Sequence, residues 1–519
     1  MNELDTTSNN MRIAKNTLLL YGRMIMLMVI SLYTSRVVLN ALGVEDYGIY
    51  DVVGGIVGIF ALLTNSLSAA ISRFITYELG KKDRTRLHEV FCTSINVQFI
   101  LIFIVVILFE TIGLWYINNI MVIPESRLNA AQWVFQFSVI TFAINLWSIP
   151  YNASIVAHER MSAFAYISLY EGCAKLLIAF LILRNPIDRL IFYSALLVLV
   201  SVTVRVLYSV YCKKHFAECN YSFIINKSLL REIFGFAGWN FIGAGSVVLR
   251  EQGGTLLINY FCGPAVNAAR GVAGAVNNAV NGFVNNFTKA LNPQITKNYA
   301  QGNYDYMISL AYRGARFSFY ILWLFALPII LTAPYLLHLW LGVVPDYTVA
   351  FTRLILIFSL SESLAMPLIT IMLATGNIRN YQIAVGGCML LNVPLSYLLL
   401  YLGGPPESVY YVYILTSVLC ELLRLIMLRK MVGLPVRSFI RDVYLNVLYV
   451  SILSFVIPAI LSYFWKIDNF LSFVCICLIA VCCSGLIIYF FGCNDRDKEF
   501  LKTVTSSIIA KFKLRRKSV

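Results

Sequence analysis

The sequence predicts an all-α, polytopic membrane protein, and three observations carry that prediction. The chain is 59% hydrophobic and only 13% charged, against roughly 25% charged in a typical soluble protein. Its mean hydropathy is +0.75. Fourteen stretches are each apolar and long enough to cross a bilayer, which takes about 20 residues for roughly 30 Å of hydrocarbon. They lie near 15–38, 47–73, 89–113, 130–152, 162–183, 190–211, 236–262, 271–296, 312–334, 349–374, 380–402, 409–428, 443–464 and 469–491, the 236–296 pair being the least apolar. Backbone polar groups in lipid must be satisfied within the spanning segment or in a closed barrel, and segments of this length are helices.

The net charge of +15 reads as a topology signal. With the N-terminus in the cytoplasm, cytoplasmic segments collect about 27 Lys and Arg, external loops about 5, and spans about 9, the bias of a multi-pass protein inserted positive side in. The inner clusters include Lys81, Lys82, Arg84 and Arg86, then Lys213, Lys214, Lys227 and Arg231, then Arg429, Lys430, Arg437 and Arg441, whereas outer loops 39–46, 335–348 and 403–408 have none. A nucleic-acid partner is therefore not expected, and both termini are expected on the cytoplasmic side. The first apolar stretch is too long for a signal-peptide core and opens an array of similar spans. Twelve cysteines and four histidines form no metal-ligand pattern, so the cysteines read as small apolar fillers. No G-x-x-x-x-G-K-[ST] loop is present, so ATP hydrolysis is not expected. No external loop exceeds about 20 residues, which leaves little room for the catalytic loop of a membrane glycosyl- or acyltransferase. The chain reads as a transporter and not as an enzyme.

An internal repeat organises the spans. A shift of 220 residues places Gly43 on Gly263, Gly54 on Gly274, Asn65 on Asn285, and Ile75-Thr76 on Ile295-Thr296. A shift of 217 places Pro150 on Pro367 and Ala157 on Ala374. Spans one and seven run in the same direction, so the halves are parallel repeats. The expected divisions are an N-terminal lobe at 1–215, a C-terminal lobe at 216–432, and an appended pair with a basic tail at 433–519. Two such lobes can enclose a cavity and rock to give alternating access.

Function is sought in polar groups that a membrane interior tolerates poorly. Span two carries Thr64, Asn65, Ser66, Ser68 and Ser72; span eight carries Asn277, Asn278, Asn281, Asn285, Asn286 and Thr288. Asn277, Asn281 and Asn285 recur every fourth residue and share one helix face, as a cavity lining would, although amides also glue membrane helices together. A charge at membrane depth costs at least a few kcal/mol and needs a partner, a route to water or a function. Arg73, Arg205 and Arg353 lie near span ends and are expected to snorkel. Glu171 with Lys175, and Glu421 with Arg424, can neutralise one another along a helix. Arg23, Arg250 and Lys289 remain as candidate ligands for an anion, with Arg36 near the outer end of span one. Arginine offers phosphate oxygens a bidentate fork and lysine a point charge. Glu251 and Glu362 either balance these cations or bind a coupling Na⁺ or H⁺. No other cofactor is expected. Pro150 and Pro367 sit at matching places in the two repeats and are candidate hinges, because proline frees a carbonyl and permits a kink.

Several segments then resemble the polysaccharide flippase branch of the MOP (multidrug/oligosaccharidyl-lipid/polysaccharide) exporter superfamily. They are Lys15-Asn16-Thr17-Leu18, Leu42-Gly43-Val44-Glu45-Asp46-Tyr47-Gly48-Ile49-Tyr50, Cys262-Gly263-Pro264-Ala265-Val266 and Ala290-Leu291-Asn292-Pro293-Gln294-Ile295. The resemblance implies a MATE/MOP-like fold in a bacterial cytoplasmic (inner) membrane. It implies flipping of an undecaprenyl-pyrophosphate-linked oligosaccharide, the repeat unit of O-antigen, capsule or exopolysaccharide, with Arg23 and Arg250 as the matching cavity arginines. The implied partners are that lipid-linked oligosaccharide, bilayer lipids, and the polysaccharide polymerase and chain-length proteins of the pathway. The extra helices would guide the lipid tail. Beyond Asn494, Phe500, Val504, Ile508 and Phe512 share one face amid Lys and Arg, the pattern of a helix lying on anionic lipid. The alternative is a MATE-like (multidrug and toxic compound extrusion), ion-coupled cation pump, which acids rather than bases would favour.

Overall fold

The computed structural model describes residues 3–58, 61–119, 123–182, 188–224, 226–342, 344–465, 467–494 and 498. The side chain of Arg36 and the expected surface helix after Asn494 lie outside this description. All regular structure among the described residues is helical. In chain order the helices are α1 (Glu3–Gly58), α2 (Ala61–Lys81), α3 (Arg84–Asn119), α4 (Leu128–Ala157), α5 (Met161–Ile182), α6 (Arg189–His215) and α7 (Lys227–Ala300). There follow α8 (Tyr304–Leu341), α9 (Thr348–Thr375), α10 (Arg379–Tyr401), α11 (Ser408–Val432), α12 (Val436–Phe464) and α13 (Phe470–Gly492).

Eleven helices among the described residues are long and apolar enough to cross a membrane. Three of the fourteen expected spans, the first, second and eighth, are not among these eleven, each for its own reason. In the first, the described side chains run only over Asn16–Ser31 before the next gap in the description. The second runs across residues 59–60, which lie outside the description. The eighth is helical but carries the asparagine face, which lowers its hydropathy.

Helix α7 runs 74 residues without a loop, roughly 110 Å if straight. No bilayer accommodates that length. The helix instead breaks at Gly263, where φ is 84° and ψ 175°. Helix α1 breaks in the same way at Gly43, with φ 82° and ψ 169°. Only glycine enters this region readily, since a Cβ would clash. The two glycines that align at a shift of 220 residues thus share one unusual backbone state.

The chain divides into two compact units, Leu18–Phe241 and Ile242–Val519 together with Met1–Thr17. In the first, α4 packs against α2, α3 and α6. Phe91 meets Tyr151 edge-on at 5.1 Å, and Phe109 meets Phe135 at 5.9 Å. Arg205 does not snorkel: it is 6% exposed, with its guanidinium 4.3 Å from the Trp147 ring and 4.0 Å from the Tyr151 ring. Those ring faces supply an attraction that water would otherwise provide. At one end of this unit Arg127 binds Asp46 and, at 2.6 Å, Asp188. Arg189 also donates to the carbonyl of Ala41 at 3.0 Å.

The connection after α6 is ordered by side chains of earlier helices. His158 Nε2 lies 2.5 Å from Glu218 Oε1, and His88 lies 3.0 Å from the Glu218 carbonyl and 2.9 Å from Ser222 Oγ. Asn96 donates to Ile224 O at 2.7 Å and accepts from the Tyr221 hydroxyl at 2.8 Å. Burial alone would raise the Glu218 carboxyl, but the His158 hydrogen bond and the nearby Arg84 charge outweigh it. The group is held below its usual value.

In the second unit α9 packs against α8 and α11, and α10 packs on α11. Phe351, Phe358, Tyr410 and Tyr413 join Ile258 and Ala273 in one buried cluster. Helices α12 and α13 dock on α8 through a line of polar contacts. Tyr312 donates to Pro435 O at 3.0 Å, Tyr320 bonds Asn446, and Trp323 Nε1 donates to Ser454 Oγ at 2.8 Å. The appended pair is thereby part of the second compact unit.

Candidate functional site

The break at Gly263 folds α7 back on itself and brings two arginines together. Arg270 Nη2 donates to the Glu251 carbonyl at 3.0 Å, and its Nε to Thr255 Oγ1 at 3.2 Å. The two arms of the helix therefore lie side by side. Arg250 Nη2 lies 3.2 Å from Glu251 Oε1, and Arg270 Nη2 lies 3.5 Å from Glu251 Oε2. One carboxylate thus bridges two guanidinium groups, leaving the cluster with a net charge of +1. The arginines are 6% and 7% exposed, whereas the Glu251 side chain is 43% exposed.

Aromatic rings and hydroxyls complete the setting. Arg250 sits 4.8 Å from the Phe358 ring, and Arg270 sits 5.5 Å from both Tyr410 and Tyr413. The Tyr413 hydroxyl accepts from Arg270 at 3.1 Å and donates to Arg250 O at 2.7 Å. Gly254 makes this approach feasible, since a Cβ there would fall 2.1 Å from the Tyr413 oxygen. Among the described residues, Arg250 Nε and Arg270 Nη1 are buried without a hydrogen-bond partner. Unsatisfied donors in low dielectric are costly, and an anion arriving at the half-open Glu251 side would add the missing counter-charge.

Other expected residues fall elsewhere. Lys289 is half-buried on α7, 19 residues beyond Arg270, so it lies roughly 28 Å further along the helix and outside this cluster. Asn277 and Asn281 face α9: Ser359 Oγ donates to Asn277 Oδ1 at 2.6 Å, and Asn281 Nδ2 lies 3.1 Å from Ser359 Oγ. Asn285 is exposed. Glu362 on α9 accepts from Ser417 Oγ at 2.7 Å. It belongs to a second charged group around Arg424, which is fully buried and binds Glu421 at 3.2 Å. Tyr444 of α12 reaches the same Glu421 at 2.8 Å. Helices α4 and α9 run unbroken through Pro150 and Pro367. Beside Pro367, Gly314 of α8 keeps the contact close, because a Cβ there would lie 3.1 Å from the proline ring.

Arg23 opens onto a cavity of about 570 Å³ inside the first unit. Its guanidinium lies 4.8 Å from the Phe164 ring. Two residues of the charged sites were not anticipated from sequence. Arg270 falls seven residues after Gly263 and reads there as an outer-loop charge. Tyr413 carries no sequence signal beyond an aromatic in an apolar span.

Comparison with known proteins gives the architecture a context. A MATE structure in the bent conformation matches with a TM-score of 0.70 at 12% identity, over 82% of this chain and 98% of that one. A multidrug resistance MATE family transporter of the MOP superfamily in its outward-facing conformation matches with a TM-score of 0.69 at 13% identity, over 82% and 97%. The MATE transporter ClbM in complex with Rb⁺ matches with a TM-score of 0.66 at 13% identity, over 80% and 94%. At such identities the likeness establishes the fold, which is that of MATE transporters. Among proteins of curated function none matches the sequence. A family model described as polysaccharide biosynthesis protein matches residues 13–299. That match takes in more than half of the chain, including both Gly43 and Gly263 and the arginines at 23, 250 and 270, and so the chain belongs to the polysaccharide biosynthesis protein family.

Proposed function

We propose that the protein is a flippase that carries an undecaprenyl-pyrophosphate-linked oligosaccharide across a bacterial cytoplasmic membrane, with both termini in the cytoplasm. The observation that carries this reading is the Arg250–Glu251–Arg270 cluster, a net positive site within helices of membrane-crossing length, in a member of a polysaccharide biosynthesis family. A pyrophosphate presents several charged oxygens, and paired guanidinium groups suit it through charge-assisted hydrogen bonds. Arg23 would add a cation in the other repeat, and Lys289, Asn277, Asn281 and Asn285 would contribute polar groups further along α7. The oligosaccharide would travel with its headgroup among these residues and its lipid tail in the bilayer. Alternating access of the two repeats would move it, with Pro150 and Pro367 as hinges. Glu362, beside Arg424 and Glu421, and Glu251 are the acids available to a coupling Na⁺ or H⁺. A polymerase and a chain-length protein would take over the delivered repeat units.

The test is complementation. A strain lacking the gene should lose surface polysaccharide, and the wild-type gene should restore it. Arg250→Ala should restore less than about a tenth of it. Normal surface polysaccharide in the deletion strain overturns the reading. The fold relatives favour a second reading as a multidrug exporter. Drug sensitivity in the deletion strain with unaltered surface glycan would establish that one instead.

A further inference from the structure

We infer that the cavity inside the first unit is a saccharide-binding subsite, built to hold the sugar end of the cargo apart from its pyrophosphate. The inference rests on the flippase reading and adds a separate recognition site to it.

The cavity measures about 570 Å³, within the roughly 300–1,000 Å³ typical of small-molecule sites. Its walls come from α1, α4, α5 and α6. One wall is aromatic: Tyr50 and Tyr193 meet edge-on at 5.1 Å, and Phe164 and Tyr208 also line the space. Another is a row of hydrogen-bonding groups, with Ser31 and Thr34 on α1, Asn152 on α4 and Ser168 on α5. Glu171 and Lys175 complete it as a pair 2.6 Å apart, their side chains 39% and 46% exposed.

This combination selects among ligands. An acyl chain would strip water from the half-exposed Glu171–Lys175 pair and give nothing back for it, which is costly. A bare phosphate would use Arg23 and Lys175 but not the aromatic wall. A sugar ring uses both, since its C–H face packs on aromatic rings while its hydroxyls donate to a carboxylate and accept from an ammonium. The Glu171–Lys175 pair offers that acceptor and donor side by side. Its place on the wall gives an ion pair that could merely neutralise itself a second role. The corresponding place in the other repeat is different in kind. At a shift of 220 residues Ile30, Ser31 and Tyr50 stand where Arg250, Glu251 and Arg270 form the cationic cluster. One repeat is thus equipped for an anion and the other for a hydroxylated ring.

The experiment compares two probes on the full-length protein in detergent. One is undecaprenyl pyrophosphate without sugar; the other is the lipid-linked oligosaccharide extracted from a strain lacking the transporter. The wild type should bind the glycosylated lipid about tenfold more tightly than the bare one. A Glu171→Gln, Lys175→Gln double variant should lose that ratio while keeping its affinity for the bare lipid. Phe164→Leu, which removes aromatic surface and no hydrogen-bonding group, should reduce the ratio independently. Arg250→Ala should weaken both probes together and leave the ratio intact. If the wild type shows no such ratio, or if both cavity variants fold and keep it, the subsite is overturned, Arg23 remains a headgroup ligand and the flippase reading stands. If the wild type binds neither lipid, the flippase reading fails and takes the subsite with it.

Discussion

Gly43 and Gly263 illustrate how much a single residue can decide in this chain. Their φ of 82° and 84°, with ψ near 170°, lie where a side chain costs about 1–3 kcal/mol. Gly43→Ala and Gly263→Ala should each lower stability by about that amount, seen as a reduced Tm in detergent. Gly235→Ala is the control: it is a helical position with open space at its Cβ, so it should be neutral or stabilising by up to about 1 kcal/mol. The sequence repeat made these two glycines legible, because an aligned pair in otherwise apolar surroundings has a backbone meaning. The charged residues were only partly legible. Arg250 stood out at mid-span, but Arg270 fell in the connection between spans seven and eight, and spacing does not show which groups of the two arms that turn brings together. The burial of Arg205 against Trp147 and Tyr151 was likewise hidden, since its partners lie on another helix.

At the scale of elements, α8 shows how the appended helices are attached. Tyr312, Tyr320 and Trp323 each find a partner on α12 or the segment leading into it. Trp323→Phe would keep the packing and lose the 2.8 Å bond to Ser454. It should cost about 1 kcal/mol, more than Phe325→Leu on an exposed part of the same helix, by thermal unfolding in detergent. Gly492→Ala should cost about 1–3 kcal/mol, because its Cβ would lie 2.9 Å from the ring of Tyr320 and an aromatic ring anchored by Asn446 yields little. The connection after α6 carries a pH dependence. Glu218 has a folded pKa below its unfolded value, so its contribution is complete above about pH 4.3, the ordinary glutamate range. It is lost as the pH falls further, through the folded value. Glu218→Gln should remove that part of the acid sensitivity, read from Tm between about pH 5 and 3.

For the whole molecule, helical class and the location of the spans were evident from hydropathy because lipid leaves the backbone so few options. The eighth span stands out least by hydropathy, since the asparagine face of α7 trades apolar character for polar contacts such as those to Ser359. The attachment of α12 and α13 was not legible, because Tyr320, Trp323 and Asn446 look like ordinary membrane residues until they meet. The distribution of Lys and Arg gives an expected orientation that can be tested. A reporter active only in the cytoplasm should work when fused after Gly433 and fail when fused after Gly403. A reporter active only outside should give the opposite pattern, and the reverse of both would invert the topology.

The glycine breaks also carry a consequence for phase. Each joins two long helices with no intervening loop, so no slack exists to absorb a change in chain length. An α-helix turns about 100° per residue. One alanine inserted after Gly263 would therefore swing the whole second arm by that angle, carrying Arg270 away from Glu251 and Asn277 away from Ser359 in a single step. The same insertion in a looped hairpin would be taken up by the loop. Here the turn acts as the angular reference for everything beyond it, and the helices it joins are tolerant of substitution but not of length.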